Sequence, residues 1–203
     1  MTHARLLVAV FVLLGWGAGP LARAVPPARA AEAGEESLTV REWGLRIGGG
    51  INRSSQIEYY AIHPYAGLSL WRGADRWFAA RGVHARWIIE PWAAFVRDQH
   101  GPHRTESFEI GVSPLIARLT FGDATLRPFV EGGEGILYTD LRKQHLGTRV
   151  QFSSQIGAGL EYALGPDLAL TLGGRFRHIS NAGLSKSDPG INTIYGLIGI
   201  TFR

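Results

Sequence analysis

The chain contains no cysteine and only one methionine. Without cysteine it can form neither a disulfide framework nor a thiolate metal site. Beyond residue 30 it also lacks any apolar run of the roughly 20 residues that a transmembrane helix needs, and no long segment has a helical period. These absences exclude a helical membrane protein and a cysteine-stapled domain.

The one continuous apolar run lies near the N-terminus, from Leu6 to Leu14, after the positive charge of Arg5. Two small-x-small sites follow, at 22–24 and 28–30, which is typical of a secretory signal peptide. The run is too short for a spanning helix and is followed by Gly15, Gly17 and Gly19. We therefore expect residues 1–30 to be a signal peptide cut after Ala24 or Ala30, and residues 31–203 to form the mature domain.

The basic charge balance depends largely on this leader. Removing Arg5, Arg23 and Arg29 lowers 21 basic residues to 18, against 17 acidic ones. The mature chain is then nearly neutral, so the basic isoelectric point does not indicate a nucleic-acid partner. Its length corresponds to one domain.

Alternation of apolar and polar residues dominates the mature chain, and it is clearest at 149–164. Strands of about ten alternating residues are typical of membrane barrels, whereas soluble strands are usually about 5 to 6 residues long. The sequence therefore predicts an all-β fold, an eight-stranded antiparallel transmembrane β-barrel. The predicted strands lie near 38–49, 57–70, 82–96, 106–120, 127–138, 148–164, 167–180 and 191–202.

The predicted connections alternate in length, as in outer-membrane barrels with short periplasmic turns and longer external loops. Those at 122–125 and 165–166 are tight, and those at 97–105, 139–147 and 181–190 are longer. Both chain ends are then periplasmic, and the 181–190 loop faces the outside of the cell. Five tryptophans suit the aromatic girdles of such a barrel: Trp43, Trp71, Trp77, Trp87 and Trp92.

Polar residues interrupt the apolar face of strand seven near its external end. Counting by twos from Phe176 along the strand reaches His178 and Ser180, so both side chains are predicted to face lipid. Asn192 shares the apolar parity of strand eight, and the hairpin can bring it beside His178. Polar groups on that surface cost free energy unless they are paired or wetted.

Two explanations fit these residues. The first is an interfacial cluster that headgroups and water satisfy. The second is a nucleophile with its base, because a serine hydroxyl becomes a good nucleophile when an imidazole removes its proton. A spacing of two residues separates His178 and Ser180 by roughly 6 to 7 Å along the strand, so His-x-Ser alone is a weak motif.

The segment Arg177-His178-Ile179-Ser180-Asn181-Ala182-Gly183-Leu184, with 188–191 after it, resembles the carboxy-terminal signature of PagL-type lipid A 3-O-deacylases. Segments 42–46 and 109–114 also resemble that family. The resemblance implies an eight-stranded barrel whose site opens to the outer leaflet. It further implies that Ser180 attacks the 3-position ester of lipid A, that His178 is the general base, and that Asn181 and the amide near Gly183 hold the oxyanion.

One position departs from the family pattern. Typical members carry a glutamate where this chain has Asn192, as the acid that orients the histidine. Asparagine can accept a hydrogen bond from the imidazole but adds no charge to stabilise imidazolium. Asp188 is the nearest acid in sequence, yet it lies in the loop. The chain could therefore be a full enzyme with a variant triad, a slow enzyme, or an inactive one.

The remaining polar residues have structural explanations. His100 and His103 have no carboxylate or thiolate partner at a metal-ligand spacing, so we interpret them as solvated loop residues. Glu131 and Glu134 lie on opposite faces of strand five and do not form an acid-base pair. Lumen-facing charge networks are common in small barrels, and we place three residues in one: Glu161, Arg175 and Arg177.

The leading hypothesis is a serine esterase of the outer membrane that removes the 3-linked acyl chain of lipid A. It needs no metal or organic cofactor. Its partners are lipopolysaccharide and the membrane, and a homodimer is compatible with the sequence. The alternatives are a non-catalytic barrel for adhesion or ligand binding, which the missing glutamate favours, and an acyl hydrolase directed at phospholipid.

Overall fold

A computed structural model describes residues 39–52, 56–70, 72–99, 105–141, 146–185 and 190–203. In this part of the chain, eight antiparallel strands form a closed barrel, as the alternation predicts. The expected signal peptide and its cleavage sites lie outside the described residues. In chain order the elements are β1 (Val40–Asn52), β2 (Ile57–Leu68), α1 (Arg72–Ala79), β3 (Val83–Asp98), β4 (Thr105–Phe121), β5 (Leu126–Thr139), β6 (Val150–Ala163), β7 (Leu168–Ser180) and β8 (Ile191–Phe202).

Each strand pairs with its neighbours in sequence, and β1 pairs with β8 to close the barrel. Trp43 lies opposite Phe202 in this closing pair, and their rings stack with centroids 4.4 Å apart. Closure matters because an open sheet would leave unpaired backbone groups along two edges. The even strand number predicted from the sequence thus removes both edges.

The two faces of the wall have opposite polarity. Large apolar side chains are exposed on the outside, among them Ile47, Ile156, Leu172 and Ile194. Polar and charged side chains are buried inside. This inverted arrangement is typical of a barrel surrounded by lipid. No helix among the described residues is long and apolar enough to cross a membrane.

A network of ion pairs fills the middle of the lumen. The Glu131 carboxylate lies 3.1 Å from Arg46, 2.6 Å from Arg118 and 2.5 Å from Arg175. Arg175 also pairs with Glu90, at 2.5 Å. Buried charges need such partners because their desolvation is costly. The lumen is therefore filled by side chains that tie β1, β3, β4, β5 and β7 together.

The lumenal positions predicted for strands six and seven are confirmed. Glu161, Arg175 and Arg177 are all buried. Arg177 pairs with Glu109, which also accepts a hydrogen bond from Trp92 Nε1 at 2.7 Å. The pair lies behind the outer end of β7, so it fixes that end of the strand from inside the barrel.

One expectation needs correction. Trp92 is not a girdle residue, because its side chain points into the lumen and is only 5% exposed. The connection between β2 and β3, for which the sequence made no prediction, contains α1, at the same end of the barrel as the chain ends. Trp77 belongs to this helix and is exposed, as are Trp43 and Trp87 on the barrel wall. Trp71 lies outside the described residues.

Candidate active site

The outer end of β7 presents two polar side chains on the lipid-facing wall. His178 and Ser180 are half-buried and share the face of Phe176, whereas Arg177 and Ile179 between them are buried. The regular alternation continues to the strand end without a bulge in either ladder. The parity counted from the sequence therefore describes this strand correctly.

Asn192 lies directly opposite His178 in the β7–β8 ladder. Its amide oxygen is 2.7 Å from His178 Nδ1. An amide oxygen can only accept, so Nδ1 must be the donor and carry the hydrogen. In the neutral imidazole this tautomer leaves Nε2 without a proton, so Nε2 can accept one from a nucleophile.

The position of Asn192 is fixed from its other side by β1. Its backbone oxygen accepts a hydrogen bond from the side-chain amide of Asn52, with a separation of 2.6 Å. Asn52 is buried at the end of β1. This contact holds the beginning of β8, and with it the residue that orients His178.

Gly190 packs closely against the imidazole. A Cβ at this position would lie 2.7 Å from His178 Cε1 and 3.3 Å from Nε2, and the backbone φ is +64°. Both the contact and the left-handed backbone favour glycine. Gly190 therefore allows the ring to occupy its place at the base of the β7–β8 loop.

Ser180 lies opposite Phe152 of β6. Within the described residues its hydroxyl makes no hydrogen bond with His178. The two side chains share a face and are two residues apart, so a hydrogen bond between the hydroxyl and Nε2 requires favourable rotamers of both. Catalytic hydrogen bonds are often long before substrate binds and tighten in the reacting complex.

The two predicted oxyanion donors lie in the turn after Ser180. The Asn181 side chain is buried, its Nδ2 lies 3.4 Å from Leu146 O, and its Oδ1 accepts the Gly183 amide at 2.9 Å. Ala182 and Gly183 both have positive φ, of 52° and 87°. The Gly183 amide is thus engaged inside the turn and can hold an oxyanion only by exchanging this bond.

A second polar pair on the same wall was not singled out from the sequence. Ser154 of β6 lies opposite His178, and Glu134 of β5 lies opposite Ser154. The Ser154 hydroxyl donates to Glu134 Oε2 at 2.7 Å. The alternation of the strand could have identified Ser154, because this serine falls on the apolar face between Phe152 and Ile156.

The alternative acid, Asp188, lies outside the described residues, as do His100 and His103. The candidate site is formed by β7, by its neighbours β6 and β8, and by the bases of the loops. Together the fold and these side chains define a class: a transmembrane β-barrel with a candidate histidine-serine site on its lipid-facing wall.

A sequence profile of the family described as Lipid A 3-O-deacylase (PagL) matches residues 58–201. This match covers well over half of the chain, and the chain belongs to this family. It is 37% identical over 104 residues to Lipid A deacylase PagL of Pseudomonas aeruginosa. The aligned segment spans 50% of this chain and 57% of that relative, a little over half its length.

Two solved structures share the architecture. The crystal structure of the outer membrane enzyme PagL has a TM-score of 0.57 at 19% identity, covering 80% of this chain and 99% of that chain. Neisserial surface protein A has a TM-score of 0.52 at 12% identity, with 80% and 94% covered. At these identities the likeness shows the fold. As a barrel of this family, the protein resides in the outer membrane.

Proposed function

We propose that the protein is a lipid A 3-O-deacylase, an ester hydrolase that acts from the outer leaflet with Ser180 as nucleophile and His178 as base. The observation that carries the proposal is the contact between His178 Nδ1 and Asn192 Oδ1. It leaves the proton-accepting nitrogen of the imidazole free for the serine on the same lipid-facing surface.

The proposed reaction begins when Ser180 Oγ attacks the carbonyl carbon of the 3-linked acyl ester. His178 Nε2 takes the hydroxyl proton, and the carbonyl oxygen becomes an oxyanion. When the tetrahedral intermediate collapses, the bond to the sugar oxygen breaks and the imidazolium returns the proton to that oxygen. His178 then activates a water molecule, which hydrolyses the acyl-serine, releases a free fatty acid and restores Ser180.

Asn181 and Gly183 are the proposed oxyanion donors. Preorganised donors are worth several powers of ten in rate in other acyl-transfer enzymes. Support comes from their position in the turn immediately after the nucleophile and from the bonds that already fix this turn. Gly183 takes part once its amide exchanges Asn181 Oδ1 for the substrate oxygen.

The location of the site supports a lipid substrate. Its side chains face outward beside exposed Phe152 and Phe176, so an ester held at this surface can leave its acyl chain in the membrane. The site lies at the barrel end opposite the chain ends. With periplasmic chain ends, that end is external and meets the leaflet that contains lipid A.

The test uses purified protein in micelles with lipid A, followed by mass spectrometry. We expect the wild type to release one acyl chain and Ser180→Ala to match buffer. A wild type that leaves lipid A unchanged would refute the proposal. Release of fatty acid from phospholipid, but not from lipid A, would indicate the phospholipid-directed alternative.

A covalent probe separates an enzyme from a non-catalytic barrel. A serine-directed organophosphonate should label the wild type at Ser180, and labelling should fall sharply in His178→Ala because the base is gone. Equal, background labelling of wild type and Ser180→Ala would favour the adhesion or ligand-binding alternative.

A further inference from the structure

Four polar side chains lie in one row across the outer wall of the barrel. The register pairs Glu134 with Ser154, Ser154 with His178, and His178 with Asn192. All four face outward on the apolar wall. The row thus extends the site by two strands on the side of His178 that is opposite to Asn192.

Glu134 is unusual for its surroundings. Its side chain is exposed, and its outward neighbours along β5 are Gly132 and the exposed Ile136. Of the outward-facing residues on β5, β6, β7 and β8, it is the only acidic or basic one besides His178. A charged group on the lipid-facing wall is costly, so its presence beside the site calls for a function.

Ser154 lies between this carboxylate and the histidine in the strand register. Its hydroxyl donates to Glu134 Oε2 at 2.7 Å. Directly opposed residues on antiparallel strands have Cβ atoms about 5 Å apart, so Ser154 occupies the position between Glu134 and His178 in the row. Adjacent strands are about 4.8 Å apart, which puts the Glu134 backbone about 10 Å from that of His178.

We propose that Glu134, acting through Ser154, supplies the negative charge that stabilises protonated His178 during ester hydrolysis, a charge that Asn192 cannot provide. This inference rests on the proposed function. Glu134 acts through another residue and is a positioning residue. Asn192 then sets the tautomer from one side, while the Glu134–Ser154 pair stabilises the imidazolium from the other.

The other groups around His178 leave this role open. Ser154 on β6, Asn192 on β8 and Ser180 on β7 itself carry no charge. Arg149, at the rim before β6, is a basic group outside the lumen, and its guanidinium bonds to the Tyr138 hydroxyl at 2.8 Å. Among the described residues that face outward on β5 to β8, Glu134 is the one acidic group and therefore the available source of negative charge. Its effect is strengthened because lipid screens charge poorly.

The test is a cycle of Glu134→Gln and Asn192→Glu, measured with lipid A in micelles. In the protein with its own Asn192, we expect Glu134→Gln to lower kcat about tenfold with little change in KM. The low-pH limb of the rate profile should shift to lower pH, because the imidazolium loses a stabilising charge. In the Asn192→Glu background the same change should cost less than about twofold, since the new carboxylate replaces the charge.

Two further variants complete the test. Ser154→Ala should lower kcat in the same direction, and adding it to Glu134→Gln should cost little more, because the pair acts as a unit. Glu106→Gln is the matched control, since it removes an exposed outward-facing acid from β4, away from His178. It should leave kcat and the pH profile unchanged.

Several results would overturn the inference. They are an equal loss from Glu134→Gln in both backgrounds, an unchanged pH limb, a loss confined to KM, and no loss at all. Each of these comparisons is made against a wild type that deacylates lipid A. A wild type that neither deacylates lipid A nor labels at Ser180 refutes the proposed function instead, so the two failures are distinguishable.

Discussion

His178 Nδ1 and Asn192 Oδ1 lie 2.7 Å apart across the β7–β8 ladder. This contact gives the imidazole the tautomer that a general base needs, with a neutral amide in place of a carboxylate. In serine hydrolases the third residue has two effects: it fixes the tautomer and stabilises imidazolium. In the proposed mechanism Asn192 provides the first effect, and we propose that Glu134 provides the second through Ser154.

Asn192→Glu should raise kcat on lipid A by about three- to tenfold, because a carboxylate adds charge stabilisation to the same contact. Asn192→Leu should lower kcat at least tenfold, because nothing then holds Nδ1–H. Steady-state rates by mass spectrometry would measure both. A neutral result for both variants would mean that position 192 does not orient His178.

Gly190→Ala should abolish most activity while the barrel remains folded. The new methyl group would lie 2.7 Å from His178 Cε1, so the ring must move. Gly122→Ala is the matched control, because Gly122 also has positive φ, at +77°, but a Cβ there meets nothing within 4 Å. Activity of the first variant equal to that of the control would contradict the importance of the contact between Gly190 and the imidazole.

Asn181→Asp should retain the turn but lose at least about 100-fold in kcat. An aspartate oxygen can still accept the Gly183 amide, as Asn181 Oδ1 does at 2.9 Å. It cannot donate to an oxyanion, and its charge opposes one. Retained activity would assign Asn181 to building the turn and would remove it from the oxyanion proposal.

Glu131→Ala should destabilise the barrel by about 3 to 5 kcal/mol, because it leaves buried arginines without their shared carboxylate. Arg46, Arg118 and Arg175 all contact Glu131. Guanidinium unfolding in micelles, followed by tryptophan fluorescence, would measure the change. Glu134→Gln on the outer face is the control and should unfold like the wild type. Equal stability of the two variants would mean that the lumen network contributes little.

Alternation alone predicts much of this molecule. It predicts the eight strands, the outward direction of His178 and Ser180, and the lumenal place of Arg175 and Arg177, because lipid on one side and charge on the other enforce a period of two. Alternation did not predict α1, because eight residues in a connection are too few to show a helical period. Trp92 was misassigned because tryptophan suits both girdle and lumen.

The sequence could not predict the row of polar side chains that crosses the outer wall. Glu134, Ser154 and His178 are far apart along the chain, and their proximity depends on the register of two ladders. Strand boundaries predicted to within a few residues do not fix that register, since a shift of two residues preserves parity but changes every neighbour. Barrel closure and the lumen ion pairs supply the missing constraint.

The most direct test is the lipid A mass profile of a Gram-negative host, without a deacylase of its own, that expresses the wild type or Ser180→Ala at equal levels in the outer membrane. The account predicts a species lighter by one 3-linked acyl chain with the wild type, and an unchanged profile with the variant. An unchanged profile with folded wild type, or the same loss with Ser180→Ala, would contradict it.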